Sequence, residues 1–161
     1  MRVQEMGWRP DRVRDADEVV RWRPAVWVSS ASGTWAGASE DGRWVVGRPG
    51  RHVLWAGSLP GVIALLPLLE RPMVQVAAEL GVASLDGHRL GFEDVVGAAL
   101  AGRASGYWAE QAIAWLDAGF PADAYRDGLR RALSDKGIGQ RSRQTAARIL
   151  ARELPGPVQP G

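Results

Sequence analysis

The chain has 161 residues, 46% hydrophobic and 24% charged, with a formal net charge of +2 and no cysteine. This is the composition of a globular chain long enough for one domain with a core, far from the signature of disorder. It excludes disulfides, zinc–thiolate sites and thiol nucleophiles.

The N-terminus, MRVQEMGWRPDRVRDADE, is polar and mixed in charge and has no apolar signal core, so the expected location is cytoplasmic. Val13, Ala16, Val19 and Val20 recur at helical spacing and predict a short amphipathic helix from about Asp11 to Arg21. From Ala25 the pattern changes to β-prone pieces, AVWVSS, GTWAGAS, RWVVG and HVLWAG, separated by Ala31-Ser32-Gly33, Asp41-Gly42 and Pro49-Gly50. These predict an antiparallel β-meander of three or four strands.

Strand parity decides where the tryptophans of this meander point. If Asp41-Gly42 and Pro49-Gly50 are two-residue loops, Trp35, Trp44 and Trp55 share one face, because cross-strand partners lie on the same side of a sheet. An even loop length keeps that arrangement and an odd one flips it. A face of three such rings is expected to be core, with a stacking platform for bases or sugars as the rival use.

The apolar run from Leu59 to Leu69 is too short to span a bilayer and is broken by Pro60 and Pro67, so no membrane contact is expected. Helices follow. RPMVQVAAELG has Pro72 in a first turn and Gly81 as a stop, and GFEDVVGAALAG has Glu93 and Asp94 near its start with Phe92, Val95, Val96, Ala99 and Leu100 on one face. SGYWAEQAIAWLDAGF runs from an N-capping Ser105 to Gly119, with Trp108, Ala112, Trp115 and Leu116 inward. A helix from about Ala122 to Ser134 would bury Tyr125, Leu129, Ala132 and Leu133, and a last one would bury Ala146, Ile149, Leu150 and Leu154.

The expected fold class is therefore α+β. One domain over 1–161 would carry a helical or extended lead over 1–24, a meander over 25–58, stacked helical hairpins over 60–154 and a frayed tail over 155–161. Trp35, Trp44, Trp55, Trp108 and Trp115 are its expected aromatic core.

Charge is segregated along the chain. Residues 60–125 carry 3 basic against 8 acidic side chains, and residues 126–161 carry 8 against 3. On the last helix Arg141, Arg148 and Arg152 fall within about 40° of one another, a stripe suited to phosphate contacts or to an acidic partner. Glu110 and Asp117 on the exposed side of the Ser105 helix are candidate partners for arginines, within the chain or outside it. These five residues form the expected partner-binding set.

Motifs for nucleotide loops, nucleophile elbows and EF-hands are absent, and no catalytic, cofactor or metal residues are expected. The functional expectation is a non-catalytic protein-interaction module, with an inhibitory, immunity-like role toward a partner protein as one form. Two rivals remain open: a nucleic-acid binder using the arginine stripe, and a small hydrolase built around Asp86 and His88.

Overall fold

In the computed structural model, which describes residues 6–102 and 105–153, the N-terminal segment forms strands where a helix was expected. β1 (Arg9–Val13) and β2 (Val19–Ser29) make an antiparallel hairpin, with Arg12 opposite Val19 and Arg9 opposite Trp22. Of the apolar residues that mimic a helical face, Val13 belongs to β1, Val19 and Val20 to β2 and Ala16 to the turn between them, and Val19 is 60% exposed while Val13 and Val20 are buried. Asp15 holds a positive φ of 61° in the turn between them, a conformation that Asp tolerates better than most residues.

Three further strands follow: β3 (Thr34–Ser39), β4 (Trp44–Gly47) and β5 (His52–Trp55), each antiparallel to its predecessor. The expected open meander is corrected here, since the five strands close into a barrel through β1 and β5. With an odd number of strands running alternately up and down, the first and last run the same way. That seam is accordingly parallel, pairing Arg12 with His52 and Val13 with Val53.

Val13, Val20, Trp22, Val45 and Val53 pack together as the barrel core, with Ala16, Trp35 and Trp55 against them. Trp22 is 0% exposed, and its indole donates to Asp11 Oδ2 at 2.8 Å, so the one polar atom of this ring is satisfied. Burying about 150–250 Å² of such a side chain contributes roughly 4–6 kcal/mol. Ala25 is the extra residue of a β-bulge in β2: Pro24 lies opposite Gly37 and Val26 opposite Ala36. The backbones come so close there that a Cβ on Gly37 would lie 2.1 Å from the Arg23 carbonyl oxygen.

The expectation that Trp35, Trp44 and Trp55 share a face is corrected for Trp44. Ala38 pairs with Trp44, and Gly47 with Val53, so five residues separate the innermost partners in both hairpins. In the first, Glu40-Asp41-Gly42 forms a three-residue loop with Gly42 at φ 82°, the left-handed position that such loops require. Two odd loops cancel for Trp55, which lies opposite Val45 and stays with Trp35 on the core face. Trp44, between the two loops, is turned to the other face.

Helices α1 (Leu59–Leu65) and α2 (Met73–Leu80) flank a 3₁₀ turn over Leu66–Glu70 and lie against β2, β4 and β5. Ser58 caps α1 by accepting from Gly61 N–H at 3.1 Å, and Gly81 ends α2 at φ 69°. Arg71 ties this layer to the barrel. Its guanidinium donates to the Trp27 carbonyl at 2.8 Å, lies 3.6 Å from the Trp27 ring centroid and pairs with Glu79.

The chain divides into two compact units, Met1–Val95 and Val96–Gly161, with the boundary inside α3 (Phe92–Leu100). In the second unit α4 (Gly106–Asp117), α5 (Arg126–Ser134) and α6 (Gln140–Glu153) follow, with α6 packed on both α4 and α5. Ala112, Trp115, Leu116, Leu129, Ala132, Ala146 and Ile149 are buried, as the spacing predicts, while Trp108 and Leu150 are half-buried. Leu133 departs from that pattern at 40% exposed, and α5 begins only at Arg126, after a separate 3₁₀ turn over Asp123–Tyr125. Leu154 and the expected frayed tail lie outside the described residues.

Candidate functional site

Trp44, pointed away from the barrel core, meets the loop that joins α2 to α3. Its ring sits edge-on to His88, centroids 5.0 Å apart, and His88 in turn lies 5.7 Å from Phe92. Local bonds fix this loop: Leu85 and Leu90 are buried, His88 N–H donates to the Leu85 carbonyl, and Gly87 N–H donates to Glu93 at 2.6 Å. His88 Nδ1 accepts from Leu90 N–H at 3.0 Å, which leaves the proton on Nε2. Burial pushes the His88 pKa below its ordinary 6.5, with the Glu93 carboxylate acting in the opposite direction, so the imidazole is neutral near pH 7.

Trp44 is a wall shared by two hollows. One, of about 420 Å³, has Trp8, Arg23, Leu80 and His88 around it; the other, of about 390 Å³, has Trp55, Arg43 and Arg89. Trp8 is 46% exposed. Arg43 is held in place, stacked 3.8 Å from the Trp55 centroid and bonded to Asp41 at 2.7 Å and Glu18 at 3.0 Å. The Ser39 hydroxyl and Arg43 together hold the Asp41 carboxyl below its usual range. Glu79 is the carboxylate at the first hollow, and it is already paired with Arg71. Among the described residues, neither Arg23 nor Arg89 forms an ion pair. The arrangement is aromatic and apolar within, and cationic at the rim.

The arginine stripe of α6 is divided. Arg148 and Arg152 both bind the Asp117 carboxylate, at 3.1 and 3.4 Å, joining α6 to α4. Arg141 is exposed and joins in none of these bonds. Glu110 accepts from the Gly139 N–H and so fixes the turn before α6. The five residues thus lie in one unit but fall into separate contacts. Trp115 is 3% exposed, and Trp108 stacks edge-on with Tyr107.

Asp86 and His88 do not form an acid/base dyad in this geometry. The nitrogen that a carboxylate would orient, Nδ1, is occupied by Leu90 N–H, and Asp86 is exposed, with its own N–H on the Ser84 hydroxyl. Among the described residues no three His, Asp or Glu side chains come together as a metal site. No single described helix is long and apolar enough to cross a membrane; the bent pair over Leu59–Glu70 and Met73–Leu80, 114° apart, passes on length and composition alone.

The contributions of Trp8, Arg23, His88 and Arg89 to one surface are invisible in the sequence, since they come from three segments joined only by the fold. In comparisons with family models, curated proteins and solved structures, nothing matches the chain.

Proposed function

We propose that the protein is a non-catalytic interaction module whose first unit docks an extended acidic segment of a partner protein across Trp44. The observation that carries this reading is the outward Trp44, standing between two hollows whose rim arginines, Arg23 and Arg89, pair with no carboxylate among the described residues. Aromatic and arginine side chains are the types that anchor protein interfaces. The closed barrel leaves none of its five strands with a free side for strand addition, so recognition falls to side chains in the hollows. An inhibitory, immunity-like role is one use of such docking.

The test is a fluorescence titration with an arrayed set of short acidic peptides, with oligothymidylate as competitor. At least one peptide is expected to bind saturably. Trp44→Ala and Arg89→Gln should each weaken it by about tenfold or more, and Arg141→Gln should leave it unchanged. A set without a binder, binding that survives both site variants, or displacement of every bound peptide by oligothymidylate refutes the proposal.

A further inference from the structure

A second cationic surface lies in the first unit and shares no residue with the Trp44 hollows. Arg14 follows β1, with its N–H on the Val53 carbonyl at 2.8 Å. Arg48 and Arg51 are the outer residues of the Pro49-Gly50 turn, closed by Arg51 N–H on the Arg48 carbonyl at 3.1 Å, and His52 opens β5. All four residues border one hollow of about 360 Å³, whose accessible apolar residues are the half-buried Leu54 and Ala64. Among the described residues no carboxylate lines it.

Most of the described arginines elsewhere in the unit are neutralised by a carboxylate, Arg23 and Arg89 at the Trp44 hollows being the exceptions. Arg9, Arg12, Arg21, Arg43 and Arg71 each pair with an Asp or Glu. Among the described residues, Arg14, Arg48 and Arg51 pair with none, although they converge on the same space. Three like charges around one hollow repel each other, and an anion bound between them removes that repulsion. Their carrier is also fixed from below: Gly50 N–H donates to the buried Asp11 carboxylate at 3.2 Å, so the turn that presents Arg48 and Arg51 is anchored to the barrel interior. The side chains thus approach the hollow from a positioned backbone.

From this we infer that the hollow binds a small phosphate monoester, its phosphate held by Arg14, Arg48 and Arg51 with His52 beside them, and its organic part on Leu54 and Ala64. Three guanidiniums offer more donors than the two oxygens of a carboxylate accept, and suit the three terminal oxygens of a phosphate. The volume lies at the small end of ligand sites, and the apolar pair favours an ester over inorganic phosphate.

The experiment is calorimetric titration of the full chain with inorganic phosphate and with adenosine monophosphate, at constant ionic strength set by potassium chloride. Both are expected to bind at one site, the ester more tightly. Arg48→Gln and Arg51→Gln should each weaken binding by about tenfold or more, with thermal unfolding unchanged because both side chains are exposed. Arg141→Gln is the control expected to have no effect. Phosphate binding without any gain from the ester identifies the free ion as the ligand and overturns the assigned organic subsite. Absence of heat with both probes, or binding that persists in the Arg48 and Arg51 variants, overturns the site itself.

Discussion

Replacing Asp11 with alanine is expected to cost about 2–4 kcal/mol of stability, because it strips the barrel interior of a shared acceptor. The Asp11 side chain is 3% exposed and accepts from Trp22 Nε1 at 2.8 Å and from Gly50 N–H at 3.2 Å. The indole of Trp22, itself wholly buried, has no access to water when that oxygen goes, and a buried orphan donor costs about 1–3 kcal/mol. Gly50 is exposed, so water replaces its lost bond and the second penalty is smaller. Asp11→Asn keeps a carbonyl oxygen in place and is expected to cost about 1 kcal/mol. Urea unfolding followed by tryptophan fluorescence gives these values, with Asp17→Ala as reference, since Asp17 is fully exposed and bridges the exposed Arg12. An Asp11→Ala midpoint that moves no further than that of Asp17→Ala would refute the reasoning.

Gly37→Ala places a methyl 2.1 Å from the Arg23 carbonyl oxygen, where only backbone movement relieves the clash; a loss of about 2–4 kcal/mol in the same unfolding assay is expected, and a midpoint unchanged from wild type disproves the close approach. His88 makes stability depend on pH. Its folded pKa lies below the ordinary 6.5, so above that value both states are neutral and it contributes no slope. As pH falls below 6.5 the unfolded chain takes up the proton first, stability declines, and the decline stops once the pH passes the folded value. His88→Asn should flatten that part of the profile relative to wild type; identical profiles count against a desolvated His88.

The helices were legible because their signals are local. Pro72, Gly81 and Gly119 mark boundaries by their own backbone preferences, and α2 and α4 begin or end beside them; Ser105 stands at the N-cap position of α4 but makes no side-chain capping bond. The β1–β2 hairpin was masked because Val13 and Val20 lie seven residues apart, a spacing that suits one helix face as well as two paired strands. Pro24 hid the true length of β2 by resembling a boundary, whereas the strand carries it next to a bulge. For Trp44 the sequence left one unknown, the parity of each turn, and Glu40-Asp41-Gly42 closes as three residues. The candidate sites were harder to read. Arg48 and Arg51 flank a visible turn, but Arg14 reaches them only through the β1–β5 seam, and Trp44 meets His88 only through tertiary packing.

That seam also dictates an order of assembly. The antiparallel pairs join neighbouring strands and form with short loop closures, whereas Arg12 finds His52 across 40 residues of chain. During synthesis β1 to β4 leave the ribosome before the strand that completes the barrel. Until His52–Trp55 emerges, the outer sides of β1 and β4 are both edges open to pairing with another nascent chain, and the arrival of that strand covers both at once.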